Sequence, residues 1–93
     1  MFRPEASVDF AEAFSWYQGQ RAGLEDEFGA ELNRTLTFLR EVPEAGPFVL
    51  GDIRRVLVHR FPFAIYYRLE QDLIEVRAIL HTHRDPRTWQ RRA

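Results

Sequence analysis

The residues best suited to chemistry lie near the carboxyl end of the chain. His81, His83 and Asp85 alternate in sequence, so an extended backbone would project all three to one side, where they could bind a metal ion. Two histidines and one carboxylate form a weak pattern, and no upstream residue supplies a clear further ligand. The pattern therefore favours strand-end and capping roles for these residues, and we expect neither a metal site nor a bound cofactor.

Positive charge in this chain is carried by arginine alone. All thirteen basic residues are arginine, and a guanidinium group binds phosphate or carboxylate but is a poor proton carrier. Residues 1–53 hold four arginines against ten acids, a net charge of −6, whereas residues 54–93 hold nine arginines against four acids, a net charge of +5. An anionic partner should therefore meet the second half.

Length and composition limit the class of protein. Ninety-three residues, 45% of them hydrophobic, are enough for one domain spanning residues 1–93, but not for two separate cores. The chain has no cysteine, which excludes a disulfide framework, a thiolate nucleophile and a zinc–thiolate site. No stretch approaches the roughly 20 apolar residues of a membrane span, and residues 1–5 do not resemble a signal peptide. We expect a cytoplasmic protein that does not bind membranes.

Hydrophobic periodicity predicts two helices in the first half. Apolar residues recur with helical spacing over residues 4–18 and again over residues 24–42, and the glycine-bounded segment 19–23 predicts a short connection between them. Pro43 ends the second helix. The two segments together indicate a helical hairpin, which needs an apolar surface to pack on.

The periodicity changes to that of strands in the second half. Residues 53–61, 63–70 and 73–80 are rich in β-branched and aromatic types and predict an antiparallel meander, with a short edge strand around residues 48–50. Alternation places Ile74, Val76, Ala78 and Leu80 on one face, towards the helices.

The chain end predicts a further helix. Asp85 followed by Pro86 predicts a capped terminal helix reaching residue 92. The expected fold is α+β: a helical hairpin on one face of a three- or four-stranded antiparallel sheet, with a short C-terminal helix.

These residues resemble the ParE/RelE superfamily, the toxins of type II toxin–antitoxin modules. The resemblance is carried by RRVL at 54–57, RFPFAIYYR at 60–68, IEVRAILH at 74–81, RDP at 84–86 and Trp89. The order of helical hairpin, meander and basic end is also similar to that of the family. The resemblance extends to the first helix, although the strand that the family places before it is cut here to residues 1–3.

The superfamily has two mechanistic branches, and the resemblance implies a different activity for each. RelE-like toxins cut mRNA in the ribosome with several basic side chains, whereas ParE-like toxins inhibit DNA gyrase. Here Ala64 stands where the nuclease branch has an arginine, Trp89 stands near the position of its tyrosine, and lysine is absent. Cleavage through a ribose hydroxyl needs a proton acceptor, and His81 or His83 could serve as one. These departures favour the ParE-like branch.

The resemblance and the local charge together give three sets of candidate residues. For a nuclease they are Arg84, His81, His83 and Arg54. For binding of the cellular target they are Arg84, Arg87, Trp89 and Arg91. For binding of an antitoxin they are Arg54, Arg60, Phe61 and Phe63. The alternatives are an exposed ion pair for Arg84, a solvated face for the terminal arginines and core packing for the aromatic residues.

The implied function is that of a toxin that a ParD-like antitoxin neutralises and that inhibits DNA gyrase. Two alternatives stay open: a ribosome-dependent mRNA endoribonuclease, and a silenced family member that acts only as a binding partner.

Overall fold

The architecture consists of a helical hairpin packed on one face of a four-stranded antiparallel sheet. The computed structural model describes residues 1–92. The helices are α1 (Pro4–Gln20), α2 (Leu24–Glu41) and α3 (Arg87–Gln90), and the strands are β1 (Phe48–Leu50), β2 (Ile53–Leu57), β3 (Phe63–Glu70) and β4 (Leu73–His81). The strands lie in the order β1-β2-β3-β4. The predicted fold class is confirmed, and the short edge strand makes the sheet four-stranded.

The helical hairpin follows from local sequence features. Pro4 occupies the first turn of α1, where its missing N–H costs nothing. Gly23 adopts the left-handed conformation with φ of 87° at the start of α2, a backbone geometry that glycine adopts without strain. Three acids in the first turn of α2 lie near its positive dipole end. The chain therefore reverses within three residues and holds the two helices side by side.

The first long strand was predicted over residues 53–61 but ends four residues earlier, at Leu57. β2 ends at Leu57 because the chain turns immediately afterwards: Val58 donates its N–H to the Phe63 carbonyl at 2.9 Å, and Arg60 has φ of 72°. A non-glycine residue in this left-handed region marks a tight turn. The aromatic residue Phe61 thus belongs to the turn between β2 and β3.

A β-bulge overturns the prediction that four apolar residues of β4 share one face. Tyr66 is paired with Ala78 but Tyr67 with Val76, so Arg77 is an extra residue in β4. One extra residue reverses the alternation beyond it. Val76 therefore packs in the cluster that faces the helices, whereas Ala78 packs on the opposite face.

The hydrophobic core is divided between the two faces of the sheet. On the helix side, Leu32 and Ile65 belong to one buried cluster and Phe28 to an adjoining aromatic one. On the far side, α3 places Trp89 on Tyr66, with ring centroids 4.6 Å apart and planes inclined by 20°. The C-terminal segment is therefore a cover for the second face.

The outer edge of β4 is occupied by the N-terminal residues. Arg3 donates its N–H to the Val76 carbonyl at 2.8 Å, and the Val76 N–H donates to the Met1 carbonyl at 2.7 Å. Phe2 forms a parallel bridge with Val76. Residues 1–3 thus cover the outer edge of β4 around Val76.

The connection between α2 and β1 is fixed by one buried hydroxyl. Tyr67 Oη donates to the Pro43 carbonyl at 2.8 Å and accepts the Gly46 N–H at 3.0 Å. A Cβ at position 46 would lie 2.6 Å from the Arg55 carbonyl oxygen and 2.9 Å from Tyr67 Oη. The close approach requires glycine at this position.

Candidate functional site

A groove lies between α1 and the C-terminal end of β4. Its inner part has a volume of about 250 Å³, and an adjoining part of about 280 Å³ shares Trp16, Phe63 and His81 with it. We call the combined feature the Trp16 groove. Its principal lining residues are Glu12, Trp16, Tyr17, Phe63, His81 and Arg84.

The floor of the Trp16 groove is aromatic. The Phe63 ring is tilted against the rings of Phe28 and Tyr17, with centroid distances of 5.2 and 5.9 Å. On the other side Phe63 meets the His81 ring at 5.5 Å in a T-shaped arrangement. Burial raises the pKa of the Tyr17 hydroxyl above its usual value, so this phenol is protonated at neutral pH. The floor thus offers apolar contact area rather than acid–base chemistry.

A buried carboxylate closes the inner end of the groove. Asp9 on α1 is 7% exposed and accepts the Ile79 N–H from the edge of β4 at 3.0 Å. It also accepts both terminal nitrogens of Arg92, at 2.6 and 3.2 Å. The charge of Asp9 is therefore already balanced, and the network fixes α1, β4 and the C-terminal segment relative to one another.

The histidines of the sequence pattern are engaged with each other. His81 Nδ1 accepts the His83 backbone N–H at 3.1 Å, and the two imidazole rings lie 5.3 Å apart. Within residues 1–92, no three His, Asp or Glu side chains come together in a way that could hold a metal ion. Asp85 instead accepts the Arg87 N–H at 2.9 Å, one residue before Pro86, the N-cap of α3.

Exposed arginines form a patch beside the groove. Arg84, Arg87 and Arg91 are all exposed at the C-terminal end. The Arg87 guanidinium donates to Asp85 Oδ2 at 2.7 Å, and this hydrogen bond holds the pKa of the Asp85 carboxyl below its usual value. The charge of Arg91 also helps to lower the pKa of the Asp85 carboxyl, and Arg84 lies at the rim of the groove. Their positive charge is available to a partner.

Trp89, the fourth residue predicted for target binding, is buried and does not lie among the exposed arginines. It is 8% exposed and packs against Tyr66 on the far face of the sheet. Its direct contribution is to hold α3, and thereby the flanking arginines, on the sheet.

Among the residues predicted for antitoxin binding, Arg54 lies apart from the other three. Arg54 donates to the carbonyls of Glu44 and Gly46 at 3.1 and 2.8 Å, while Arg60 pairs with Glu27 at 3.2 Å. Phe61 and Phe63 are half-buried and packed against the cluster containing Phe28. Of the four, only Phe63 reaches the Trp16 groove.

Among the residues predicted for a nuclease, Arg54 lies apart from the other three. Arg54 is paired with Tyr67 and His81 with Phe63, so their partners on β3 are four residues, about 13 Å, apart along the strand. Arg54 and His81 also lie on strands on opposite sides of β3. The structure brings His81, His83 and Arg84 together but separates them from Arg54.

Trp16 is the site residue that the sequence prediction missed. It is 60% exposed although it is the largest side chain on α1. The next residue, Tyr17, belongs to the apolar stripe of α1 and is buried. Trp16 therefore lies beside the buried face of the helix and not on it. A tryptophan displaced from an otherwise regular stripe is the pattern that could have indicated it.

The chain has an α+β fold, with a helical hairpin on an antiparallel sheet, and the comparisons with known proteins supply the family. The chain belongs to the ParE toxin family, because the model of the "ParE toxin of type II toxin-antitoxin system, parDE" matches residues 1–86.

A solved structure has the same fold. The chain is similar to the structure described as "Chromosomal ParDE TA system from P. aeruginosa", with a TM-score of 0.69 and 20% sequence identity over 86% of this chain and 90% of that chain. A search among curated proteins gave no match. Among the described residues, no helix is both long enough and apolar enough to cross a membrane.

Proposed function

We propose that this chain, acting as one domain over residues 1–93, is a toxin that a ParD-like antitoxin neutralises and that acts by inhibiting DNA gyrase. The observation that carries the choice of target is the separation of Arg54 from the other three nuclease candidates. RNA cleavage requires a proton acceptor and charge-stabilising donors within hydrogen-bond reach of one phosphodiester. Arg54 is bonded to loop carbonyls on the far side of β3 from His81, so the four candidates cannot act on one phosphate.

Two further positions support the same choice. Ala64, which stands where the nuclease branch has an arginine, is 0% exposed and has no side chain that could reach a phosphate. Trp89, near the position of the nuclease tyrosine, is packed against Tyr66. Neither side chain could contact an RNA substrate without unfolding of the C-terminal segment.

The exposed arginine patch is suited to binding an acidic protein surface. Arg84 and Arg91 are charged at every physiological pH and make no ion pair among residues 1–92. Complementary charge of this kind raises the rate of association and orients the partner. We therefore assign the contact with gyrase to Arg84, Arg87 and Arg91, with Trp89 as their support.

A supercoiling assay with purified gyrase tests the proposal. The wild-type chain should inhibit supercoiling, and Arg84→Glu should weaken inhibition by about tenfold or more, as expected for loss of a central charged contact. Arg40→Glu is the matched control, because Arg40 is an exposed arginine on α2, remote from the patch. It should inhibit as the wild type does.

The competing function has its own readout. If induction of the chain yields new mRNA ends in primer extension while supercoiling by purified gyrase is unaffected, the ribosome-dependent endoribonuclease is the correct function. If the chain has neither effect but still binds the antitoxin, it is a silenced family member.

A further inference from the structure

The Trp16 groove brings a carboxylate, a guanidinium and an imidazole around an aromatic surface. Glu12 on α1 lines one wall, and Arg84, which follows β4, lines the other. His81 and Trp16 line both parts of the groove. With volumes of about 250 and 280 Å³, the two adjoining parts bring the groove into the range of small-molecule sites, roughly 300 to 1,000 Å³. A ligand of that size would meet an acid, a base and an aromatic ring at once.

The indole of Trp16 is supported on one side and accessible on another. Tyr17 contacts it edge-on, with ring centroids 5.1 Å apart and planes inclined by 81°. The side chain nevertheless remains 60% exposed. A nucleobase stacks favourably on an accessible aromatic ring of this kind. Because Tyr17 already supports the ring, little ordering is needed when a base binds.

Two hydrogen-bond donors come from the turn that follows β4. His81 Nδ1 accepts the His83 backbone N–H at 3.1 Å, so in the neutral ring the proton lies on Nε2, which is then a donor. The Arg84 backbone N–H donates to the His81 carbonyl at 2.9 Å, which places the two side chains on one turn. An imidazole N–H and a guanidinium are donors suited to a phosphate group.

The two acids that line the groove differ in what they can accept. Asp9 already accepts the Ile79 N–H and the Arg92 guanidinium. Glu12 is exposed on the groove wall, and a carboxylate can accept two hydrogen bonds side by side. Guanine presents adjacent N–H donors at N1 and N2, whereas adenine presents an acceptor at N1. A carboxylate in this position therefore favours guanine over adenine.

We propose that the Trp16 groove binds a guanine mononucleotide. The base stacks on Trp16 and donates its N1–H and N2–H groups to Glu12. The phosphate accepts hydrogen bonds from His81 Nε2 and the Arg84 guanidinium. The buried Asp9 network closes the inner end of the groove, so a single nucleotide fits better than a strand that must pass through.

A bound nucleotide would also affect the toxin, a consequence that rests on the proposed function. Arg84 belongs both to the groove and to the exposed arginine patch assigned to gyrase. A phosphate on Arg84 neutralises that charge, so GMP should weaken the inhibition of supercoiling. Absence of GMP binding to the isolated chain would overturn this inference alone, whereas absence of gyrase inhibition would overturn only the proposed function.

Calorimetric titration of the purified chain with GMP tests the site. Trp16→Ala and Arg84→Gln should each weaken binding about tenfold or more, because each removes a main contact with the base or the phosphate. Arg40→Gln is the matched control, since Arg40 is exposed on α2 outside the groove, and it should bind within about twofold of the wild type. Circular dichroism checks that the variants are folded. Binding by Trp16→Ala and Arg84→Gln as tight as that of the control would overturn the proposal.

Glu12→Gln tests the recognition of the base. The wild type should bind GMP about tenfold more tightly than AMP, as expected for a bidentate contact with a base edge. Glu12→Gln should reduce this preference to about twofold or less, because the amide has a single acceptor oxygen. Glu5→Gln, which changes an exposed acid near the start of α1 outside the groove, should keep the preference. Equal binding of GMP and AMP by the wild type would contradict the assignment of guanine.

An NMR titration locates the ligand. The chain has two tryptophans, of which Trp89 is buried and Trp16 is exposed, and GMP should shift the indole N–H signal of Trp16 alone. Inorganic phosphate and a short RNA that begins with a guanosine phosphate are the comparison ligands. If phosphate binds as tightly as GMP, the groove binds only an anion and the proposal fails. If the RNA binds more tightly than GMP, the ligand is a strand, and the mononucleotide site is wrong.

Discussion

The two faces of the sheet are covered in different ways. The inner face is covered by helices of 17 and 18 residues and an aromatic cluster centred on Phe28. The outer face is covered by a helix of only four residues, held through Trp89 and Arg92. Because few contacts hold it, the outer cover can be removed at modest cost, whereas the inner cover constitutes the fold. The exposed arginine patch is thus carried by the less stable of the two covers.

The strongest way to test this comparison is to damage the inner face. Phe28 is 0% exposed and its ring contacts those of Phe10, Tyr17, Phe61 and Phe63. Phe28→Ala should lower the free energy of unfolding by about 3 to 5 kcal/mol, measured by urea denaturation. Phe38→Ala on the same helix is the control, since Phe38 is half exposed, and it should change stability by about 0.5 kcal/mol or less.

Removing the outer cover should have a smaller effect. Trp89→Ala should lower the free energy of unfolding by about 2 kcal/mol. This is less than the loss expected for a buried tryptophan in a rigid core, because α3 can detach without unfolding the helix side. Hydrogen exchange should then show faster exchange of the Gln90 and Arg91 amides but unchanged protection of Ile65. Trp89→Phe, which can still stack on Tyr66, should retain most of the protection. Global loss of protection in Trp89→Ala would show that the two covers are not independent.

The Asp9 network, which links the two covers of the sheet, should contribute less to stability than either cover does. Asp9→Ala leaves the Ile79 N–H and the Arg92 guanidinium without their shared acceptor, at a cost of about 1 to 2 kcal/mol. Asp9→Asn keeps an oxygen acceptor for the Ile79 N–H and should lose less stability than Asp9→Ala. A double-mutant cycle with Arg92→Ala measures the coupling, and a coupling energy near zero would contradict the role assigned to this network.

The smallest expected effect concerns Asp85 at the start of α3. The hydrogen bond from Arg87 lowers the pKa of Asp85, so the stabilisation is present above the ordinary carboxyl pKa and is lost as the pH falls through the lowered value. An NMR titration of the Asp85 carboxyl should show a higher pKa in Arg87→Gln than in the wild type, although the backbone N–H of residue 87 and the charge of Arg91 still lower it in the variant. Identical titrations of the two proteins would show that the ion pair is absent in solution.

The helices and the meander could be predicted from the sequence because their signals are local. The apolar stripe of α1, the glycine-bounded turn at Gly23 and Pro43 after α2 each act within a few residues, and all three predictions agree with the structure. The extra residue Arg77 in β4 could not be predicted, because a bulge depends on which residues of two strands are paired. Alternation alone therefore placed Ala78 and Leu80 on the wrong face.

The candidate site was predictable only in part. Arg84 stands out by charge and resemblance, but its neighbourhood depends on contacts between distant segments. Asp9 and Ile79 are separated by 70 positions, and Asp9 and Arg92 by 83, so no local pattern indicates that they meet. Trp89 was predicted as a contact residue from the resemblance and the local charge, whereas here it packs on Tyr66.

The bonding of residues 1–3 and Asp9 to β4 has a consequence for solubility. An uncovered edge strand can pair with another molecule and begin aggregation. β4 is the longest strand, with nine residues, and its outer edge is covered at Ile74, Val76 and Ile79. The opposite edge is β1, with only three residues. The chain thus confines its exposed edge to a strand too short to template a stable intermolecular sheet.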